Sequence, residues 1–495
     1  MPDERGSLKQ LTARSLKWNV IDRVASQGLY AITGIILARV LSQEDFGLVG
    51  AIFIFQAFAQ MLVDSGFSTA LIQRKSPTST DYSTVFWFNI GVAMLLYLLL
   101  FTTAPLIASI FHDSRITLLS RVMFLAIIIN SSSIVQANRL MKQMNVRPLA
   151  AANALGLTAG AIAGIYLALM GYGAWAIVWQ TIVNGAVKSL TLWLINRWLP
   201  ALRFSIESLK SFFKVGSGIL ATSFLNTVFQ NIYSFFIGNM AGMAPLGYYT
   251  QADKWSKMGI TSLSQSVTSA FLPTLAEVQD DATRLRRTVG KMNKFTAYLT
   301  FPAMGFLIVM SAPIFHLLFG AKWDPSIILF QLLLMRGVFT VFTGLYNNYL
   351  VTLAESGKIV IMEALRDGVA IIALVATLPM IRYSTPENPV AGLTILLVGQ
   401  LIASALTWLI TLIVTARKTG CSTFSFLRDL LPYMVITVAI MVPQHLTTHL
   451  IAEPWLLVVA QSAIVALLYL GINKLLRSKI QREVLEYLSP RKDLK

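Results

Sequence analysis

Seven cations and five carboxylates sit inside runs that are otherwise apolar: Arg23, Arg121, Lys188, Lys254, Lys257, Arg336 and Arg366, with Asp22, Asp64, Asp253, Glu363 and Asp367. A charge at membrane depth costs about 2.5–3.5 kcal/mol on the insertion scale, so such residues face a partner or a cavity. Their spacing favours a cavity. Gln56, Gln60 and Asp64 recur at every fourth position, as do Asp253, Lys257, Thr261 and Gln265. Asn19, Arg23 and Gln27 form a third such set, and Thr222, Asn226 and Gln230 a fourth. Residues four apart share one helix face, so four helices each present a polar stripe, and together they imply a water-filled central cavity. Structural readings stand beside this one. Asp253 with Lys257, and Arg366 with Glu363, have the spacing of ion pairs within one helix. Lys254 and Arg121 lie near span ends, where a long side chain reaches the interface. His445 and His449 are four apart but have no third ligand nearby, and read as interfacial histidines. Asn347 and Asn348 read equally as gate or packing polars.

The elements that hold these residues are apolar helices. Apolar residues make up 55% of the 495 positions, charged residues only 13%, and the mean hydropathy is +0.65. A soluble domain has about 25% charged residues. Runs of about twenty apolar residues define a polytopic α-helical membrane protein, and they exclude an outer-membrane barrel, whose strands alternate over about ten residues. Fourteen spans are expected, at 17–41, 47–70, 83–110, 117–138, 148–171, 174–197, 212–240, 246–276, 289–318, 325–352, 358–381, 389–415, 427–448 and 454–475. The longest connection, around Asp280 to Lys294, reads as a charged hairpin, and the last dozen or so residues read as a free tail. The first apolar run lacks a small-residue cleavage site and reads as a span, with no cleavable signal. The single cysteine, Cys421, allows no internal disulfide and no cysteine metal cluster, and no cofactor or metal site is expected.

The formal charge of +17 is a topology signal. With a cytoplasmic N-terminus, and with charges at a span's edge counted with the adjoining loop, the Lys and Arg residues other than the seven in-span cations divide into 29 on the cytoplasmic side and four outside, namely Arg39, Arg115, Lys322 and Arg382. Basic residues concentrate in cytoplasmic loops, so both termini are expected in the cytoplasm. Nucleic-acid binding needs a clustered basic face with stacking aromatics, and the charge is not arranged that way.

The chain also carries its first hairpin twice. Ile36–Val40, Leu41–Asp45 and Phe46-Gly47-Leu48 match Phe236–Met240, Ala241–Pro245 and Leu246-Gly247-Tyr248, two hundred positions on. Thr69-Ala70-Leu71 matches Ser269-Ala270-Phe271, and Ala104-Pro105-Leu106 matches Ala312-Pro313-Ile314. An internal duplication is the usual build of secondary transporters, and copies of six spans enter the membrane in the same direction. The expected architecture is all-α: a pseudo-symmetric six-helix lobe over 1–200, a second over 201–418, and two additional peripheral helices with a cytoplasmic tail over 419–495.

Ala38–Ser42 with Asp45-Phe46-Gly47, Ser65–Arg74, Phe271-Leu272-Pro273, Gln279-Asp280-Asp281 and Phe319–Trp323 resemble Wzx-type polysaccharide flippases of the multidrug/oligosaccharidyl-lipid/polysaccharide exporter superfamily, in the subgroup of colanic acid and teichuronic acid exporters. The resemblance implies two six-helix lobes facing each other, some members carrying two further helices. It implies a multi-pass protein of the bacterial inner membrane that flips an undecaprenyl-pyrophosphate-linked polysaccharide repeat unit to the periplasmic leaflet by alternating access, for lipopolysaccharide or exopolysaccharide export. The implied partners are the lipid-linked oligosaccharide, membrane lipids, a coupling ion and other polysaccharide assembly proteins, with no nucleic acid. The family has no invariant catalytic residue to carry over, so the site rests on the in-span charges. An anionic head cannot cross a low-dielectric region unpaired, and Arg holds phosphate through two parallel hydrogen bonds. The expected substrate-binding cations are Arg23, Lys257, Arg336 and Arg366, tempered by Asp22, Asp64, Asp253 and Asp367. Asp64 is the favoured coupling carboxylate, since it closes a stripe with no cation one turn away.

Two other classes bound this reading. A related exporter of drugs or of a peptidoglycan lipid precursor keeps the fold and changes the cargo; against drugs, the in-span charges are cationic on balance. A membrane-embedded polysaccharide polymerase or ligase needs a sizeable outward loop with catalytic groups, and the largest outward polar stretch is Arg382 to Pro389. An enzyme is therefore not expected.

Overall fold

A computed structural model describes residues 4–488 except 65, 279, 280, 386, 449 and 452. Ser65, Gln279, Asp280 and His449, singled out in the sequence, lie outside the described residues. Helices account for nearly all of the described chain, and no strand occurs among the described residues.

The chain forms two compact units, Met1–Gly247 and Tyr248–Lys495. In the first lie α1 (Glu4–Val40), α2 (Gln43–Asp64), α3 (Phe67–Gln73), α4 (Ser79–Ile110), α5 (Arg115–Met123), α6 (Leu125–Lys142), α7 (Val146–Leu169), α8 (Trp175–Asn196) and α9 (Ile206–Ala241). The second is built from most of α10 (Met243–Val278), then α11 (Ala282–Val309), α12 (Ser311–Leu318), α13 (Asp324–Thr352), α14 (Ser356–Thr377), α15 (Ala391–Thr419), α16 (Thr423–Thr447), α17 (Pro454–Leu475) and α18 (Lys479–Leu488). Among the described residues, nine helical stretches are long and apolar enough to cross a membrane, or eleven if each of two bent pairs is one span. The chain is thus a multi-pass helical membrane protein.

Local chemistry sets the helix ends. Thr78 and Asp81 close a reciprocal capping box at the start of α4, which satisfies donors that the first turn leaves open. Gly66 breaks α2 from α3 at φ +69°, and a Cβ there would lie 2.8 Å from the Gly216 carbonyl of α9. That position combines left-handed backbone with close helix approach, and glycine meets both demands.

Within the first unit the loops gather at two ends. At one end Arg115 pairs with Asp113 at 2.7 Å and with Glu44 at 3.1 Å. The hydrogen-bonded Arg115 holds the Asp113 carboxyl, in the loop before α5, below the usual carboxylate range. At the other end Arg74 pairs with Asp81 at 3.1 Å, Lys142 donates to the Ile72 carbonyl at 2.9 Å, and Trp87 donates to the Ala201 carbonyl at 2.9 Å. In the second unit Lys294–Asp429 (3.1 Å) and Lys291–Glu483 (2.6 Å) gather α11, α16 and α18, while Glu355 pairs with Lys418 and Lys358.

Two expectations need correction. The charged segment before Lys294 is the opening of α11, not a hairpin. Asp281 caps that helix, accepting from the amides of Thr283 and Arg284 at 2.9 and 3.0 Å, and Leu285, Val289 and Met292 bury its apolar face. The start of the expected tail is helical, since α18 runs from Lys479 to Leu488. Ile480 and Gln481 are buried, and Gln481 donates to the Leu470 carbonyl at 2.9 Å. Its polar and apolar residues fall on opposite sides of a short helix, a pattern that the density of charge hides in a hydropathy scan.

The helices α16 and α17 bury one face each. Phe426, Leu430, Tyr433 and Ile436 of α16 join the core around α11, and the Tyr469 hydroxyl of α17 donates to the Tyr298 carbonyl at 2.9 Å. Their other faces expose Leu431, Val435, Val438, Val442, Val459 and Leu467, an apolar surface suited to lipid.

Candidate functional site: a polar cavity in the first unit

Three helices of the first unit line an open cavity of about 760 Å³, each contributing one face. From α2 come Phe53, Gln56, Ala57, Gln60, Met61 and Asp64; from α6 Asn130, Ser133, Ile134, Ala137 and Asn138; from α8 Thr181, Asn184, Gly185 and Lys188. Ser68 of α3 completes the wall. In each helix the contributors recur at three- and four-residue steps, the period that keeps them on one side. The stripe Gln56, Gln60 and Asp64 thus lies in a cavity wall.

The wall is held by a relay and by close helix contact. Asn138 donates to Ser68 Oγ at 2.8 Å, and Ser68 donates in turn to the Asp64 carboxylate. Ser132 and Ser189 share a 2.7 Å hydrogen bond that ties α6 to α8, and Trp193 Nε1 donates to the Ser132 carbonyl at 3.1 Å. Beside the same α8 residues, α7 approaches through Gly156, Gly160 and Gly164, one glycine per turn. A Cβ at Gly156 would lie 2.8 Å from the Asn184 carbonyl, and one at Gly160 would lie 2.7 Å from that of Gln180. Small residues at this spacing let helix backbones meet, and here they seat the helix that carries Asn184 and Lys188.

Two wall atoms have no partner among the described residues: the side-chain oxygens of Gln56 and Gln60. Gln56 is only 8% exposed. An unpaired buried acceptor costs about 1–3 kcal/mol, so these two oxygens leave a hydrogen-bonding demand unmet in the residues that line the cavity.

The cation in the described wall is Lys188, which was counted among the in-span charges but not chosen as a binding candidate. Asp22 of α1 acts on it electrostatically. Asp22 also accepts from Ser26 at 3.2 Å and from Asn153 of α7 at 3.1 Å. The chosen cations lie elsewhere. Arg23 is exposed on α1, beside exposed Asn19 and Gln27. Lys257 of α10 pairs with Asp253 at 2.6 Å. Arg366 of α14 pairs with Glu363 at 2.7 Å and with Asp367 at 3.0 Å. Arg336 of α13 is half-buried, and its Nε has no partner among the described residues. Asn347 donates to Glu363 and Asn348 to Thr268, at 3.3 Å each. Thr181-Asn184-Lys188 keeps polar residues at three- and four-residue steps, and a search for polar residues at helical spacing in every span finds it, whereas in α6 Asn130, Ser133 and Asn138 are interrupted by Ile134 and Ala137.

The fold and the sequence each have counterparts. The structure superposes on an inward closed lipid II flippase MurJ with a TM-score of 0.72 at 16% identity, covering 94% of this chain and 100% of that one. An inward-facing multidrug resistance MATE family transporter gives a TM-score of 0.59 at 18% identity, covering 80% of this chain and 96% of that one. These likenesses define the class of fold, a helical membrane-transporter architecture. Residues 36–328 match the family described as polysaccharide biosynthesis protein, and the chain belongs to that family. Similar curated proteins include the succinoglycan biosynthesis transport protein ExoT of Rhizobium meliloti (strain 1021), 26% identical over 66% of each chain. The lipopolysaccharide biosynthesis protein WzxC of Escherichia coli (strain K12) is 26% identical over 67% of this chain and 68% of its own. The match spans about two thirds of the length of these relatives.

Proposed function

We propose that this chain is a transporter, not an enzyme, and that it flips an undecaprenyl-pyrophosphate-linked polysaccharide repeat unit from the cytoplasmic to the periplasmic leaflet by alternating access. The observation that carries the reading is the hydrogen-bonding cavity of about 760 Å³ inside an apolar helical protein of a polysaccharide biosynthesis family. A lipid tail can stay in the bilayer while a polar head needs such a wall. The names of the relatives, concerned with succinoglycan transport and with lipopolysaccharide and teichuronic acid biosynthesis, support the same cargo class.

The finer features belong to the same proposal. The chain has fourteen spans, as six-helix lobes over 1–200 and 201–418 and a peripheral pair within 419–495, with both termini in the cytoplasm of a bacterial cell. Arg23, Lys257, Arg336 and Arg366, none of which lines the cavity of the first unit, hold the pyrophosphate in a separate cationic central cavity, and Asp22, Asp64, Asp253 and Asp367 temper them so that the anion can leave. Asp64 is the group that links transport to a coupling ion. In proteoliposomes carrying the full chain, lipid-linked repeat units should become accessible from the opposite leaflet, and empty liposomes should show no such transfer. Equal rates with and without the protein refute the proposal.

A further inference from the structure

The cavity of the first unit has a chemistry that separates the two parts of a lipid-linked sugar. Its described wall holds one cation, Lys188, and one carboxylate, Asp64, and Asp22 acts on that same lysine. The local charge is therefore close to balanced, and a pyrophosphate seated there would stand largely uncompensated. The unpartnered groups point the same way. Gln56 Oε1 and Gln60 Oε1 are acceptors without donors among the described residues, and Asp64 already accepts from Ser68 Oγ. An ionised phosphate has no proton to offer them, whereas every free hydroxyl of a sugar ring both donates and accepts. Asn130 and Asn184 bring further amides to the same wall, and the volume falls within the range of about 300–1,000 Å³ usual for small-molecule sites.

We infer that this cavity is the sugar-reading pocket of the transporter: it binds ring hydroxyls of the glycan head through Gln56, Gln60 and Asn184, while the pyrophosphate is held by cations outside it. The inference rests on the lipid-linked cargo proposed above and adds which part of that cargo each group of residues reads.

The test uses the full chain in lipid nanodiscs and two probes. One is undecaprenyl pyrophosphate without sugar. The other is the undecaprenyl-pyrophosphate-linked repeat unit extracted from cells that lack this chain. Gln56→Leu and Asn184→Leu should each weaken binding of the sugar-bearing lipid about three- to tenfold, the effect of one lost hydrogen bond, and leave the sugar-free lipid within about twofold. Gln56→Asn keeps the amide but withdraws its reach, and should show the same selective loss in a variant that preserves the polar wall. If these variants weaken both lipids equally, or neither, the sugar pocket is wrong while the lipid-linked cargo stands. If the unsubstituted protein binds neither lipid, the cargo itself is wrong and this inference falls with it.

Discussion

Gly47 packs its backbone onto Met243, and Gly247 repeats the contact in reverse on Gln43. A Cβ built on either glycine would overlap the carbonyl oxygen of the other residue in its pair. The pairs 47/243 and 247/43 exchange under a shift of two hundred positions, so the starts of α2 and α10 meet in a local two-fold relation. Two helix N-termini brought together repel through their dipoles. Asp45 in the first turn of α2 offsets this, accepting from Ser42 N at 2.9 Å and Ser42 Oγ at 2.7 Å.

Gly47→Ala and Gly247→Ala should therefore be matched in effect. Each forces a methyl group against backbone, a kind of overpacking that costs about 1–3 kcal/mol. Melting temperatures of the purified protein should fall by similar amounts for both. Gly91→Ala, where a Cβ meets nothing within 4 Å, should leave the melting temperature unchanged. A well-tolerated Gly47→Ala contradicts the reciprocal contact.

The glycine ladder of α7 gives a second expectation. Gly160→Val should push α8 away from α7 and displace Asn184 and Lys188, with a cost of about 1–3 kcal/mol. Export should fall more for Gly160→Val than for Gly160→Ala, at matched protein levels. Equal export by both variants would mean that the seating of α8 does not set the cavity.

Lys188 and Asp22 should be energetically coupled. Removing one of two opposite charges that act on each other leaves the second uncompensated, and coupling energies for interacting neighbours run about 0.5–3 kcal/mol. Lys188→Ala should destabilise the protein, and adding Asp22→Asn should recover part of the loss. Strictly additive effects on stability would remove the pair from the account.

Acid should loosen the loop end that Arg115 gathers. The Asp113 carboxyl is held below its ordinary value. Its contribution is therefore complete above the unfolded-state value near 4 and fades as pH falls through the lower folded-state value. The pair is partly exposed, with Arg115 54% open to solvent, so the contribution stays below about 1 kcal/mol. Arg115→Ala should lower the melting temperature slightly at neutral pH and flatten its decline below about pH 4. An unchanged acid profile in that variant rejects the assignment.

The helices were legible because apolar runs of membrane length announce themselves, and the Gly47/Gly247 correspondence was legible because glycine marks backbone contact. Asp281 and Lys479 show where that reading stops. The first caps a long helix whose opening turns are charged and the second begins a short amphipathic helix, and in both the charges resemble loop composition until the capping bonds and buried Leu285 and Ile480 are seen. The α2 stripe was readable from its four-residue step alone. Lys188 was not ranked, because its importance comes from which helix α8 faces, and helix pairing is a tertiary property. The pairs at Lys257 and Arg366 were foreseen as an alternative from their spacing, and the structure contains both pairs. Arg23 and Arg336 therefore bear more of the anion-binding proposal. Their alanine variants should cut export without loss of protein, and Lys at either position should rescue only partly.

The central claim is tested most directly in cells from which this chain has been deleted. Lipid-linked repeat units should accumulate on the cytoplasmic leaflet and polymer should vanish from the surface. The wild-type chain should restore both, and Arg336→Ala, produced at the same level, should not. Normal surface polymer with no accumulated lipid-linked repeat unit in the deletion strain would contradict the account.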